Sequence, residues 1–395
     1  MENNKEIETI NVGLFGHIDH GKTTLLYKLS GRWADTHSEE MKRGITIKLG
    51  YASITIYSEN GKYNKEKGIP QKYVTFVDAP GHEMLMSTAL SGAAMCDVAI
   101  LVIAANEGIK PQTREHLMAI QAKKVENLIV VQNKIDLVTK EQAKKNYEEI
   151  KEFLKNSYKD VPIIPISSQQ EVNIEYLYQA LAEIPEIKRE KDCAPFFVVA
   201  RSFDINKPGT TPEKLCGAVL GGVLKKGTLK VVDKIEIKPG RIIKEANQYK
   251  YQTLKTRIVS LYKGNKKVQE LTPGGSASIE TEMDMSLGKN DALAGNFVSL
   301  EGALPEKVNE LSLKYLLFKN TYGQEGAIGI ENIKPSELLM LSIETSLISG
   351  VVKKISGDKI DLNLKIPAII FKGQNIAIAR NIKGHWRLIG FGEIL

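Results

Sequence analysis

Gly16-His17-Ile18-Asp19-His20-Gly21-Lys22-Thr23 places two glycines, a lysine and a hydroxyl at the spacing G-x-x-x-x-G-K-[ST]. Glycines at those positions let backbone N–H groups converge on an anion. The lysine ammonium reaches the terminal phosphates, and the threonine hydroxyl suits a hard cation such as Mg2+. The chemistry is that of binding a nucleoside triphosphate. Asp19, His20, Gly21, Lys22, Thr23 and Thr24 are the expected nucleotide-contacting residues, with the His17 and His20 rings in structural roles. An apolar run, Ile10 to Phe15, precedes the loop, and a helical stretch, Thr24 to Leu29, follows it. In that order the positive end of a helix faces the phosphates.

Three later segments decide which nucleotide. In Asp78-Ala79-Pro80-Gly81 a carboxylate can hold a magnesium-bound water and a glycine N–H can meet the γ-phosphate. In Asn133-Lys134-Ile135-Asp136 the carboxylate of Asp136 can accept from guanine N1–H and the N2 amino group. Adenine offers that pair nothing and would leave the carboxylate unpaired, at a cost of about 1–3 kcal/mol or more. Asn133 and Lys134 are expected to pin this loop to the phosphate loop and to lie along the base. Ser167-Ser168-Gln169 can present a backbone N–H to guanine O6. Each segment alone is an ordinary turn or cap. All four in this order, each following a strand-like run, specify GTP. His82 follows Gly81 directly, where small signalling GTPases carry a glutamine, and a side chain there can orient the attacking water. It is the candidate catalytic residue. His37, His116 and His385 read as surface or otherwise satisfied side chains.

The first half of the chain is organised to position these groups. Strand-like runs at Ile10–Phe15, Tyr73–Val77, Val98–Ala104, Leu128–Gln132 and Ile163–Ile166 alternate with helical stretches at Glu83–Gly92, Gln112–Ala122, Lys140–Lys155 and Ile174–Ile184. That alternation predicts a mostly parallel, doubly wound α/β sheet with ligands beyond the carboxyl ends of its strands. Ser58–Pro70, with Asn60-Gly61 inside it, reads as a surface hairpin or a loop between strands. Near Pro185 the rhythm changes to short β-branched and aromatic runs cut by Gly and Pro: Pro195–Arg201, Gly217–Val223, Lys230–Ile237 and Arg257–Leu261. These predict β-barrels or sandwiches. A further boundary at Gly302–Pro305 divides the chain into 1–192, 193–304 and 305–395.

The 395 residues are 42% hydrophobic and 26% charged, a composition that leaves little room for disorder. No apolar run approaches the roughly 20 residues of a membrane span, and the first residues do not read as a secretory leader. Three scattered cysteines argue against a disulfide framework, and a cytoplasmic location is expected. The net charge of +7 lies beyond residue 192, since the first part is nearly balanced. RNA contact through the second half is one reading of that surplus, and a solvated lysine-rich face is the other.

Gly-His-Ile-Asp-His-Gly-Lys-Thr, Arg43-Gly44-Ile45-Thr46, Asp-Ala-Pro-Gly-His and Asn-Lys-Ile-Asp together resemble the translational GTPases. Lys42–Ala52, Leu90–Ala94, Pro111–His116, Arg201–Thr210 and Trp386–Gly390 narrow the resemblance to the γ subunits of archaeal and eukaryotic translation initiation factor 2. It runs from about residue 9 to the end and implies an α/β P-loop GTPase domain followed by two β-barrel domains. It also implies GTP/GDP and Mg2+ as cofactors, with initiator methionyl-tRNA, α and β subunits and the small ribosomal subunit as partners. By pattern alone Ile45-Thr46-Ile47 is an alternating strand. The resemblance instead makes Thr46 a metal ligand beside Thr23, in a segment that senses the γ-phosphate. It places a second Mg2+ near Asp19 and the Gly44 carbonyl, and makes Ile18 and Ile45 an apolar gate before His82. Two features depart from the family pattern. Ser58–Pro70 lacks the cysteines of the usual zinc knuckle, so zinc is not expected, and Ser167-Ser168-Gln169 stands where Ser-Ala-Leu is usual. The lack of a long N-terminal extension points to an archaeal origin. Hydrolysis by an isolated switch GTPase runs on the order of 10⁻⁴ per second. The competing readings are an elongation-type aminoacyl-tRNA carrier, a GTPase subunit coupled to sulfate adenylylation, and a GTP-binding scaffold that never hydrolyses.

Overall fold

The computed structural model of the chain describes residues 7–31, 49–81, 85–155, 157–211, 213, 215–245, 248–323 and 326–395. His37, Gly44, Ile45, Thr46 and His82 lie outside the described residues. Seven strands form the first sheet: β1 (Thr9–Gly16), β2 (Gly50–Glu59), β3 (Lys62–Asn64), β4 (Ile69–Asp78), β5 (Val98–Ala104), β6 (Asn127–Asn133) and β7 (Ile163–Pro165), in the order β3-β2-β4-β1-β5-β6-β7. From β4 to β7 the pairing is parallel. β5 reads Val-Ala-Ile-Leu-Val-Ile-Ala and is buried at every position, as a central strand covered on both faces must be. The helices are α1 (Lys22–Ser30), α2 (Met86–Met95), α3 (Pro111–Ala122), α4 (Lys140–Leu154) and α5 (Ile174–Ala182).

Local chemistry sets the ends of these helices. Thr139 caps α4: its hydroxyl accepts from Gln142 N at 3.3 Å, and Gln142 Oε1 accepts from Thr139 N at 2.9 Å. Pro111 opens α3 at a position where a missing N–H costs nothing. Leu25, Leu26 and Leu29 of α1 and Leu177 and Leu181 of α5 pack with Val12, Leu14, Ile100 and Val131 of the sheet into one core.

The expected parallel sheet carries an antiparallel edge that the strand candidates did not include. β2 runs antiparallel to β4, and β3 antiparallel to β2. In β2 the buried residues Ala52, Ile54 and Ile56 alternate with the half-buried Tyr51, Ser53, Thr55 and Tyr57. Asn60-Gly61 turns the β2–β3 hairpin, with φ of 51° and 76°, the left-handed pair that matches strand twist. Helix α2 spans Met86–Met95, past the expected end at Gly92, as the Leu90-Ser91-Gly92-Ala93-Ala94 run carries it onward; Glu83 and Met84 lie outside the described residues.

After residue 195 two six-stranded barrels follow. In the first, Lys234–Glu245, Phe297–Leu300, Phe196–Phe203, Val219–Lys226, Ser276–Thr281 and Gln248–Lys263 pair in that order, and the last closes on the first. Phe197, Leu220, Ile235, Ile237, Ile258, Leu261 and Ile279 fill it. Val308–Leu317, Lys359–Ala368, Ser346–Ser356, Leu338–Ile343, Asn375–Ile382 and His385–Ile394 form the second closed barrel. Closure removes the unpaired edges that open sheets expose. The run Lys230–Ile237, expected as one strand, is broken: Val232 has φ 71° and Lys230 N donates to Asp233 Oδ2 at 2.7 Å. That side-chain bond offers the backbone a turn in place of the ladder.

Two compact units result, Met1–Ile187 with Leu317–Glu331 and Arg380–Ile389, and Lys188–Leu316 with Asn332–Ala379 and Gly390–Leu395. Among the described residues no helix is long and apolar enough to cross a membrane.

Candidate functional site

The phosphate loop leaves β1 at Gly16 and enters α1 at Lys22. Asp19 (φ 60°) and Gly21 (φ 92°) adopt the left-handed conformation that coils it. Lys22 is buried, and its Nζ donates to Gly16 O at 2.9 Å and His17 O at 2.8 Å. Thr23 Oγ1 donates to Oδ2 of buried Asp78 at 2.9 Å. At Gly81 an added Cβ would stand 2.6 Å from Lys22 Nζ and 3.0 Å from Ile18 N. One small volume therefore collects an ammonium, a hydroxyl, a carboxylate and a close-approaching backbone. Those groups fit a triphosphate with a hard, oxygen-ligated cation.

At the other end of the site, Asn133 closes β6 with its amide buried. Its Nδ2 donates to His20 O at 2.9 Å, and its Oδ1 accepts from Ser168 N at 3.0 Å and Ser168 Oγ at 2.9 Å. One side chain thus ties the phosphate loop to the Ser167–Gln169 turn. Lys134 takes φ 61° and its Nζ lies 3.4 Å from Glu107 Oε1. Asp136 sits exposed in the short 3-10 turn Ile135–Leu137, beyond the end of β6 and open to a ligand. Ser167 N donates to Val172 O at 3.3 Å, and Ser168 N is taken by Asn133. Of the three N–H groups offered to a base, Gln169 N–H is the one with no acceptor among the described residues. Thr24 follows Thr23 in the first turn of α1.

Gly21 must be glycine here. Besides its φ of 92°, an added Cβ would stand 2.4 Å from Asn133 Nδ2. We expect Gly21→Ala to weaken GDP binding by about tenfold or more, through roughly 1–2 kcal/mol of left-handed strain plus displacement of the Asn133 tie. Isothermal titration of GDP checks this, and unchanged affinity would refute it.

His116, read as a surface or otherwise satisfied side chain, is the second of these: it is buried, and its Nδ1 accepts the Gly16 N–H at 2.7 Å, a partner the sequence did not name. That bond assigns the ring proton to Nε2. Burial first, then the charge of Lys22, pushes its pKa down to about 3, so the ring is neutral. The His20 ring is also buried, its Nδ1 3.2 Å from Val102 O, and burial pushes it to about 3 as well. Burial also lowers the His17 pKa, opposed by contact with Gln112. The ammonium of Lys22 is therefore not joined by a charged His20 or His116 ring at this loop. The available signal for His116 was its spacing: Gln112, Glu115 and His116 stand at i, i+3 and i+4 on one face of α3.

The family described as Elongation factor Tu GTP binding domain matches residues 7–186, and Initiation factor eIF2 gamma, C terminal, matches residues 309–394. Translation initiation factor 2 subunit gamma of Pyrococcus furiosus is 47% identical over 98% of this chain and 97% of its own length. The same subunit of Methanococcus vannielii is 45% identical over 98% of both chains. In fold the chain is similar to bacterial selenocysteine-specific elongation factor EF-Sec, with a TM-score of 0.78 and 25% identity. It covers 98% of this chain and 58% of that longer one. Elongation factor SelB from Methanococcus maripaludis, at 23% identity and TM-score 0.74, agrees in fold. The full-length relatives are initiation factor subunits, and they do not support the elongation-type or sulfate-adenylylation readings. The chain belongs to the translation initiation factor 2 subunit gamma family and is a GTP-binding translational GTPase of initiation.

Proposed function

We propose that this chain, with α and β subunits in the cytoplasm, carries initiator methionyl-tRNA to the small ribosomal subunit while GTP is bound, and lets it go after hydrolysis. The observation that supports this most is joint. A GTP-type constellation at Lys22, Thr23, Asp78, Asn133 and Asp136 stands in a chain that is aligned over 98% of its length with factor 2 γ subunits.

In this reading Lys22 and the backbone of Asp19 to Thr24 hold the phosphates, and Asp136 with the Gln169 N–H reads guanine. Thr23 and Thr46 would ligate Mg2+, with Asp78 acting through a water. Asp19 and the Gly44 carbonyl are the candidates for a second site. When bound, the cation offsets charge on the β- and γ-phosphates. His82 orients the attacking water through its imidazole, and Ile18 with Ile45 keeps that ring away until the ribosome acts. Nothing in Ser58–Pro70 offers zinc a thiolate. The functional domains are assigned as 1–192, 193–304 and 305–395, with the basic surplus of the last two facing RNA.

The test is filter binding of charged tRNAs to the chain assembled with its α and β subunits. Initiator methionyl-tRNA should bind at least tenfold tighter with GTP than with GDP, and tighter than an elongator tRNA. Equal affinity for initiator and elongator tRNAs would overturn the proposal.

A further inference from the structure

Gly16 is held from both sides. Its N–H donates to His116 Nδ1 at 2.7 Å, and its carbonyl accepts from Lys22 Nζ at 2.9 Å. An added Cβ on Gly16 would stand 2.3 Å from Val102 O, so this peptide has no room to shift toward β5. One helical position before His116, Glu115 Oε1 meets Arg387 Nη1 at 2.7 Å, with the side chains 1% and 7% exposed. Arg387 comes from the Arg380–Ile389 segment of the same compact unit. Gly323, in the Leu317–Glu331 segment, leaves space for it: an added Cβ there would stand 3.1 Å from Arg387 Nη2. Arg114 of the same helix lies over the rings of Phe153, at 4.9 Å, and Tyr322, at 5.5 Å. Helix α3 thus carries three neighbouring side chains, two reaching the 317–331 and 380–389 segments and one reaching the first peptide of the phosphate loop.

We propose that His116 is a positioning residue of the nucleotide site, and that the buried Glu115–Arg387 pair keys the helix that holds it, so that the Arg380–Ile389 segment sets how tightly nucleotide is retained. The physical route is short. A shift of α3 moves the acceptor of the Gly16 N–H. The Gly16 carbonyl moves with its peptide, and with it the anchor of Lys22. A hydrogen bond is steep in distance and angle, so displacements below an ångström suffice. Burial keeps the His116 ring neutral, and so an acceptor, through the working pH range. The inference rests on the reading of Gly16–Thr23 as a nucleotide loop.

The test measures release of a fluorescent GDP analogue from four variants and the wild-type chain. His116→Leu removes the acceptor and should speed release about tenfold or more. Asn carries an acceptor at nearly the position of Nδ1, so His116→Asn should stay within about threefold of wild type, a rescue that lost ring packing would not give. Arg387→Lys keeps the charge but loses the planar fork, and should speed release about threefold to tenfold. If both act through one bond, the His116→Leu/Arg387→Lys double variant should match His116→Leu within about twofold. Multiplicative effects, or an Asn variant as fast as the Leu variant, would overturn the proposal. Should His116→Leu fail to fold, wild-type release from Arg387→Lys would also overturn it. A wild-type chain that binds no GDP would instead refute the nucleotide reading itself.

Discussion

Asp136→Asn should lower GTP affinity by about hundredfold or more and raise XTP affinity above that for GTP. A carboxylate accepts two hydrogen bonds from the guanine N1–H and N2 amino edge, and bonds to a charged acceptor contribute about 1.5–3 kcal/mol each. An amide keeps one acceptor and turns its other atom into a donor. Against guanine that donor faces another donor. Against xanthine it meets a carbonyl. The structure places Asp136 where this exchange is readable: exposed at the end of β6, three residues after the buried Asn133 that ties the neighbouring loops together. Competition of GTP and XTP for the wild-type and variant chains checks the prediction. An unchanged preference would mean that Asp136 does not read the base.

Arg387→Met should cost about 3–5 kcal/mol of stability, because it strands the Glu115 carboxylate at 1% exposure without its 2.7 Å guanidinium partner. Removing both charges, as Glu115→Leu with Arg387→Met, should recover most of that loss, since an apolar pair pays no desolvation penalty. Urea unfolding of the two variants and the wild-type chain checks this through the shift in midpoint at constant slope. A loss below about 1 kcal/mol for Arg387→Met would place the pair with exposed salt bridges, which contribute little.

The chemistry-bearing segments were legible because each is local. Gly16 to Thr23, Asp78 to Gly81 and Asn133 to Asp136 are runs in which neighbours in sequence are neighbours at the site. β5 and α3 were legible for a similar reason: an unbroken apolar run and a 3.6-residue period need no distant partner to be recognised. β2 was not among the strand candidates: its alternation fits a half-buried strand, but its antiparallel place at the sheet edge is set by β4, which no local pattern names. The break at Val232 was hidden because β-branched residues on both sides favour a strand, while one side-chain bond from Asp233 decides for a turn.

His116 shows the boundary most clearly. Its sequence neighbours made it part of a recognisable motif and its spacing put it on one helix face, but its role depends on Gly16, a hundred residues away. The Glu115–Arg387 pair spans 272 residues. The sequence by itself determined the nucleotide, the reaction class and the order of a phosphate-loop sheet and β-rich barrels, because backbone geometry and side-chain chemistry at close spacing carry that information. Only the tertiary structure decided what holds the loop in place. Hydrogen bonds and buried charges act over a few ångströms, and the chain brings their partners that close only when it folds.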